Sequence, residues 1–180
     1  MKIVVFSDSH GEGEGMEDVL RFAEPDAEYV LHLGDGAREF ERLADYFPRM
    51  GFIGVYGNCD YAPGCMTEPS LYTRTLNVGG VCLYLCHGHR LAVRSGHEAL
   101  LAAAAREQAD IALYGHTHMA SKRLITYNPQ TLVEEENGRA LLLLNPGSIS
   151  HPRGGELSVR SYAVLQTERG HYTAELRIAP

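Results

Sequence analysis

The sequence predicts an α/β fold in which two β-sheets pack against each other. Three observations lead to this prediction: six apolar runs each end in a polar, glycine-containing loop, helical spacings separate several runs, and glycine turns join others. Strands that alternate with helices indicate a largely parallel sheet, here in the N-terminal half. The short connections indicate that a second set of strands, at least partly antiparallel, packs against the first.

The predicted strands are short apolar runs. In chain order they are KIVVF, YVLHL, FIGVY, VCLYL, IALY and ALLLL, and the loops that follow them are SDSHG, GDG, GNCD, CHGH, GHTH and NPGS. Runs of this length, rich in Val, Ile, Leu and Tyr, are typical of strands buried on both faces. Periodicity alone leaves short buried helices open as an alternative.

Three stretches between these runs have the spacing of amphipathic helices. The apolar positions of the first two are Met16, Val19, Leu20 and Ala23, then Phe40, Leu43, Ala44 and Phe47. Pro48 follows the second stripe and ends it. Ser95 and Glu98 have the spacing of a capping box ahead of ALLAAAA, which predicts a third helix.

Two hairpins are predicted where the connections shorten. One lies in LYTRTLNVGGVCLYLC and turns at Gly79-Gly80, and the other joins Leu157–Gln166 to His171–Arg177 near Gly170. The polar segment NPQTLVEEENGR is interpreted as a long hairpin loop.

Composition favours one globular domain, residues 1–180. With 180 residues, 44% of them hydrophobic and 22% charged, the chain could bury roughly 70% of its unfolded surface. A net charge of −7 argues against a nucleic-acid duplex as partner, because proteins that bind phosphate backbones cluster Lys and Arg. The N-terminal apolar run in MKIVVFSDSH is too short for a signal peptide or a membrane span, so we expect a cytoplasmic protein without a membrane partner.

Several other polar residues are expected to have structural roles. The cysteines Cys59, Cys65, Cys82 and Cys86 form neither a C-x-x-C pair nor a dense disulfide framework, and reduced thiols are expected. His32 is expected to pack in or beside a sheet, His97 to lie at a helix N-terminus, and His151 and His171 to be solvated. Glu134–Glu136 is expected in an exposed loop.

Seven nitrogen or oxygen donors follow the predicted strands at equivalent loop positions. They are Asp8, His10, Asp35, Asn58, His87, His116 and His118. Open α/β sheets bind ligands at the carboxyl ends of their strands, so we expect these side chains to converge. Imidazole, carboxylate and amide ligands without thiolate suit Mn²⁺, Fe²⁺, Zn²⁺ or Ni²⁺. Four imidazoles among seven ligands favour two ions, which one carboxylate could bridge.

The order of the motifs SDSHG, GDG, GNCD, HGH, GHTH and NPGS resembles that of the calcineurin-like metallophosphoesterases. It is most similar to their small YfcE-like phosphodiesterase branch. The resemblance covers nearly the whole chain, and the motifs are specific together although each is weak alone. It implies a two-sheet αββα sandwich of the metallo-dependent phosphatase type with a dinuclear metal centre.

The resemblance also implies a division of the seven ligands. One metal would be bound by Asp8, His10, Asp35 and His118, and the other by Asp35, Asn58, His87 and His116, so that Asp35 bridges them. The ions would be Mn²⁺ as first choice, with Ni²⁺, Fe²⁺, Zn²⁺ or Mg²⁺ as alternatives. Two divalent ions against two carboxylates leave a local charge of about +2, which suits a phosphodiester anion attacked by a metal-activated water.

Cys59 stands where many members of the wider family carry a His proposed to protonate the leaving group. The YfcE-like branch is similar to this chain in having Cys there. A neutral thiol is a poor proton donor near pH 7, so we expect good leaving groups or another acid, for which His89 is the candidate. Asp60 is expected to orient a neighbouring side chain or to satisfy the turn. Catalytic roles are thus assigned to Asp35, Asn58, Cys59 and His89.

The loop after the last motif offers further candidates. Arg153 is a candidate contact for a substrate anion, with a structural or oligomer contact equally open. Asn145 and Ser148 are candidates for supporting the metal ligands.

The leading functional hypothesis is a dinuclear-metal-dependent phosphodiesterase acting on a small or nucleotide-like phosphodiester. A phosphomonoesterase or a nucleotide pyrophosphatase is the alternative, because the same ligands serve either reaction. A non-catalytic scaffold resembling the retromer subunit of this family ranks third. The sequence leaves a homo-oligomer open.

Overall fold

The computed structural model describes residues 1–60 and 71–180. Within these residues ten strands form two five-stranded sheets. In chain order the strands are β1 (Lys2–Phe6), β2 (Tyr29–His32), β3 (Gly51–Gly54), β4 (Thr73–Val78), β5 (Val81–Cys86), β6 (Ile111–Leu113), β7 (Ser121–Tyr127), β8 (Arg139–Asn145), β9 (Ser161–Glu168) and β10 (His171–Ile178). The helices are α1 (Glu14–Asp18), α2 (Ala37–Ala44) and α3 (Glu98–Arg106).

Each sheet has three parallel strands with two antiparallel strands added to them. The first sheet has the order β10-β9-β1-β2-β3, in which β1, β2 and β3 are parallel. The second has the order β4-β5-β6-β8-β7, in which β5, β6 and β8 are parallel. The antiparallel strands β4, β7, β9 and β10 come from hairpin connections, as their registers show.

The apolar runs are continuous because both faces of their strands are buried. In β1, Ile3 and Val5 pack in the core between the two sheets, whereas Val4 and Phe6 pack on the outer face with the residues of α1 and α2. The second sheet shows the same alternation, with its outer face covered by α3. The layers are therefore αββα, which confirms the predicted fold class.

The two predicted glycine turns are confirmed. Gly79 and Gly80 have φ of 62° and 83° between β4 and β5, and Gly170 has φ of 81° between β9 and β10. Left-handed backbone of this kind matches the twist of a two-residue hairpin. The polar segment at 128–138 joins β7 to β8 as a long hairpin loop, but β9 begins at Ser161 rather than Leu157.

Several predicted boundaries were wrong. The first helix continues from α1 as a π-helical turn over Val19–Ala23, and Ala23 is exposed. The second ends at Ala44, so Phe47 contacts the core from a turn. The FIGVY run contributes only as far as Gly54 to β3, since the Tyr56 N–H donates instead to the Leu71 carbonyl.

The predicted capping box was also wrong. α3 has His97 at its N-cap without a side-chain capping bond. The backbone N–H of Ser95 donates to the Ala92 carbonyl at 2.8 Å in the preceding turn, so Ser95 lies outside the helix. Strand β7 was not predicted, because this edge strand exposes Lys122, Arg123 and Leu124 and lacks an apolar run.

Three of the four cysteines, Cys59, Cys82 and Cys86, are free thiols, and Cys65 lies outside the described residues. No helix in the described ranges combines the length and the apolar composition needed to cross a bilayer.

Candidate metal centre

The parallel strands of both sheets end at the same edge of the molecule. The register pairs Phe6 of β1 with His32 of β2, and Leu113 of β6 with both Leu85 of β5 and Leu144 of β8. The polar loops follow within a few residues of these positions. All seven predicted donors therefore lie on loops at one end of the two sheets.

One set of donors surrounds Asp8. The His118 Nε2 atom lies 3.2 Å from Asp8 Oδ1 and 3.1 Å from His10 Nε2. Ligand atoms of these three residues all lie within 4.8 Å of one another, which is close enough to share one ion. The cluster forms although the three residues come from loops more than 100 positions apart in the sequence.

The second set surrounds His87. Its Nε2 atom lies 3.3 Å from Asp35 Oδ2 and 3.2 Å from Asn58 Oδ1. The His116 ring lies farther out, with its centroid 5.1 Å from that of His87. His10 Nε2, from the first set, is 3.9 Å from Asp35 Oδ2. The Asp35 carboxylate thus lies within reach of both sets of donors.

Five of the seven donors have left-handed backbone conformations. The φ angles are 56° at Asp8, 47° at His10, 57° at Asp35, 68° at His116 and 60° at His118. Non-glycine residues adopt this conformation in only a few per cent of cases, at a cost of about 1–3 kcal/mol each. Strain gathered in one cluster of side chains is typical of a functional site, because only the surrounding structure keeps it in place.

The contacts of Asp8 suit a metal ligand. Asp8 is fully buried, and its Oδ2 accepts hydrogen bonds from the Ser7 hydroxyl at 2.5 Å and the His116 N–H at 3.1 Å. Its Oδ1 accepts no hydrogen bond from a backbone or hydroxyl donor among the described residues and faces His118 Nε2 at 3.2 Å. Burial works to raise the pKa of Asp8, but His118 and His87 lower it on balance, so the carboxylate is charged. A buried, charged oxygen that faces an imidazole nitrogen is a group that a cation would satisfy.

Two imidazoles have their tautomers set by backbone carbonyls. His87 Nδ1 lies 2.7 Å from the Leu33 carbonyl, and His118 Nδ1 lies 2.7 Å from the His151 carbonyl. A carbonyl only accepts, so each Nδ1 carries a proton, which leaves Nε2 as the atom of each ring that would bind a metal. This arrangement is the usual support of a metal-binding histidine.

Asp60 holds the backbone around Asp35. Its Oδ2 accepts from the N–H groups of Asp35 and Gly57, both at 2.7 Å, and its Oδ1 accepts from those of Gly36 and Ala37, both at 2.8 Å. Of the two roles expected for Asp60, the structure therefore shows the backbone one. The carboxylate joins the loop after β3 to the loop that carries Asp35.

A partly buried chain of hydrogen bonds supports the His10 loop, and sequence reasoning missed it. The Gly34 N–H donates to His32 Nδ1 at 3.2 Å, so the proton of the neutral ring is on Nε2, which lies 3.1 Å from Ser9 Oγ. The Ser9 hydroxyl donates in turn to Glu39 Oε1 at 2.7 Å, which also accepts the Gly11 N–H. Ser9 was signalled only by its position between two predicted ligands.

Cys59 and His89 lie at the rim of the cluster. The Cys59 N–H donates to Asp35 Oδ1 at 2.7 Å, and the thiol groups with His10 and Asp35. Burial, followed by Asp35, raises the pKa of the thiol to about 11, so it is neither a thiolate nucleophile nor an effective acid near pH 7. The His89 ring centroid is 5.3 Å from that of His87, and burial together with His87 lowers its pKa.

The last motif also supports the cluster. The Ser148 hydroxyl donates to the Asp8 carbonyl at 2.7 Å, and Asn145 Nδ2 donates to the Gly115 carbonyl and Thr117 Oγ1, both at 3.0 Å. Arg153 lines a separate groove, whose lining includes Thr117 of the loop that carries His116 and His118. The cleft that opens directly onto His10, Asp35 and Cys59 has a volume of about 570 Å³.

Comparison with known proteins identifies the family of this chain. The profile of the calcineurin-like phosphoesterase superfamily domain matches residues 1–170. The chain belongs to the calcineurin-like phosphoesterases. This phosphoesterase is 30% identical to the phosphodiesterase YfcE of Escherichia coli (strain K12), over 93% of its own length and 89% of that protein. It is 27% identical to the probable metallophosphoesterase YsnB of Bacillus subtilis (strain 168), over 93% and 85% of the two chains.

Solved structures share the fold of this phosphoesterase. A predicted phosphoesterase from Streptococcus pneumoniae TIGR4 superimposes with a TM-score of 0.73 at 29% identity, covering 98% of this chain and 88% of that one. Vps29 from Entamoeba histolytica, solved in complex with zinc, superimposes with a TM-score of 0.65 at 21% identity, covering 98% of each chain. The second likeness concerns the fold alone.

Proposed function

We propose that this calcineurin-like phosphoesterase is a phosphodiesterase that uses two divalent metal ions, Mn²⁺ as first choice, to hydrolyse a small or nucleotide-like phosphodiester. The observation that carries the proposal is the position of the Asp35 carboxylate, which reaches His10 at 3.9 Å and His87 at 3.3 Å. One carboxylate between two sets of donors is what a bridged pair of ions requires.

The side chains divide between the two ions by proximity. Asp8, His10 and His118 would hold one ion, Asn58, His87 and His116 the other, and Asp35 both. Ions bound there would activate a water molecule and neutralise the charge of the phosphoryl group. His87 and His118 would bind the ions through Nε2, because each Nδ1 donates to a backbone carbonyl, and a neutral Cys59 thiol lies at the rim. Because the thiol is a weak acid, substrates with good leaving groups are favoured. His89, beside His87, is the alternative proton donor.

Two other functions compete with this one. A phosphomonoesterase or nucleotide pyrophosphatase would use the same ligands, so the substrate decides. A scaffold would need no intact ligand set, whereas the seven donors of this chain converge and two of their rings have fixed tautomers. The intact ligand set therefore favours catalysis over a scaffold.

The test is hydrolysis of bis(p-nitrophenyl) phosphate after treatment with a chelator and addition of Mn²⁺, compared with p-nitrophenyl phosphate and with a dinucleotide pyrophosphate. We expect turnover of the diester that depends on metal and is lost in Asp35→Asn. Asp45→Asn, an exposed carboxylate at the end of α2, is the matched control and should leave turnover unchanged. No hydrolysis with Mn²⁺, Ni²⁺, Fe²⁺, Zn²⁺ or Mg²⁺ would refute the proposal.

A further inference from the structure

A second groove lies beside the candidate metal centre. Its walls carry the side chains of Arg94 and Arg153 together with the hydroxyl-bearing residues Tyr114, Thr117 and Ser121, and its volume is about 550 Å³. Small-molecule sites in proteins span roughly 300–1,000 Å³, so the groove is large enough for a nucleotide-sized group. The Arg153 that the sequence marked as a candidate anion contact lines this groove.

The charges of the two openings differ in sign. The cleft on the Asp35 side is lined by four carboxylates, those of Asp35, Glu39, Glu41 and Asp60, against one arginine, Arg38. The groove has two arginines and no carboxylate among its described lining residues. Within the described part of the chain the Arg153 side chain makes no ion pair or hydrogen bond. The Arg153 guanidinium can therefore bind an anion, and arginine is well suited to phosphate because its planar donors match the phosphate oxygens.

Both arginines are attached to the loop that carries two of the candidate ligands. Arg94 Nη2 donates to the His116 carbonyl at 3.1 Å. The backbone N–H of Arg153 donates to the His118 carbonyl at 2.9 Å. The groove therefore shares the 116–118 loop with the candidate metal ligands, because Thr117 lines the groove between His116 and His118 in the sequence.

We propose that the groove binds a second anionic group of the substrate, a phosphate that is not the one hydrolysed. The substrate class is then a nucleotide-like phosphodiester with an additional phosphate. This inference rests on the proposed function. Arg153 is the principal contact, and Arg94 has a double role because it also holds the His116 loop.

Two matched substrates test the proposal: thymidine 5′-(p-nitrophenyl phosphate) with and without a 3′-phosphate. Both release p-nitrophenol by the same reaction. The wild type should prefer the 3′-phosphorylated substrate, and Arg153→Gln should lower kcat/KM for that substrate by about 10-fold, mainly through KM. Its kcat/KM for the other substrate should not change. Arg42→Gln, which removes an exposed arginine from α2, is the control for charge alone.

A binding measurement separates this inference from the proposed function. Calorimetric titration with thymidine 3′,5′-bisphosphate requires no turnover, and its affinity should fall by about 10-fold in Arg153→Gln but not in Arg42→Gln. Arg94→Lys keeps the charge, and retained metal content in this variant shows that the His116 loop is intact. If neither substrate is hydrolysed but this binding pattern appears, the groove stands and the proposed reaction falls. Equal effects of Arg153→Gln on both substrates, or bisphosphate binding that ignores Arg153, would overturn the proposal.

Discussion

The carboxylate of Asp60 accepts the backbone N–H of Asp35 at 2.7 Å, although the two residues lie on different loops. Three further N–H groups converge on the same carboxylate, from Gly36, Ala37 and Gly57. The bond therefore fixes the backbone of the residue that reaches both donor sets. Asp60, which is not a predicted ligand, therefore determines the position of Asp35, the predicted bridging ligand.

Replacement of Asp60 by Asn should damage metal binding without touching a ligand. An amide offers one accepting oxygen, so N–H groups now bound to the other oxygen would lose their partner. We expect a loss of about 2–3 kcal/mol in the free energy of unfolding and about 10- to 100-fold weaker metal binding. Urea denaturation and a metal titration measure the two effects. Asp45→Asn is the control. An unchanged metal affinity in Asp60→Asn would show that the four hydrogen bonds to Asp60 are not needed for metal binding.

Gly57→Ala should displace Asp35 from its position. A Cβ atom at Gly57 would overlap Asp35 Oδ1 and lie 2.5 Å from the Asp35 backbone nitrogen. Because this neighbour is partly backbone, the strain cannot be relieved by a side-chain rotation. We expect weaker metal binding and a destabilisation of about 1–3 kcal/mol, the usual cost of overpacking. Gly13→Ala, where the new Cβ would be 3.4 Å from Glu39 Cβ, should be nearly neutral in the same assays.

His32 should make the protein less stable in mild acid. Burial lowers its pKa from 6.5 to about 4 in the folded protein, against the partial opposition of Asp60, Asp8 and Glu39. Between these two values the unfolded chain binds the proton more readily, so falling pH favours unfolding by up to about 3 kcal/mol. Stability should therefore rise with pH from about 4 to 6.5.

His32→Gln should remove that part of the pH dependence. Urea denaturation between pH 4 and 7, with a chelator present so that metal release does not contribute, measures the slope. His171→Gln deletes an exposed histidine from β10 and should retain the wild-type slope. A His32→Gln slope equal to that of the wild type would mean that folding does not lower the pKa of His32.

Cys59→His should change leaving-group selectivity and leave metal content unchanged. The thiol, whose pKa burial and Asp35 raise to about 11, is a weak proton donor, whereas an imidazole titrates near neutrality. Rates for aryl phosphodiesters with poor leaving groups should therefore increase relative to those with p-nitrophenol. Equal relative rates across the series would remove this position from the proton transfer.

The fold and the convergence of the seven donors could be predicted from the sequence. Buried parallel strands are recognised as apolar runs, and the donors lie in the polar loops directly after those runs. It did not predict the contacts that aim those donors. Asp60 reaches Asp35 across 25 positions and Glu39 reaches Ser9 across 30, distances at which no spacing rule applies. For the same reason the sequence did not predict which cavity Arg153 lines, because that depends on the path of the loop after β8.

The most direct test of two ions bridged by Asp35 is an anomalous difference map from a crystal of this protein soaked in MnCl₂, recorded at the manganese edge. We predict two peaks per chain about 3.5–4 Å apart, with the Asp35 carboxylate between them. A single peak, or two peaks that do not share Asp35, would contradict the dinuclear centre.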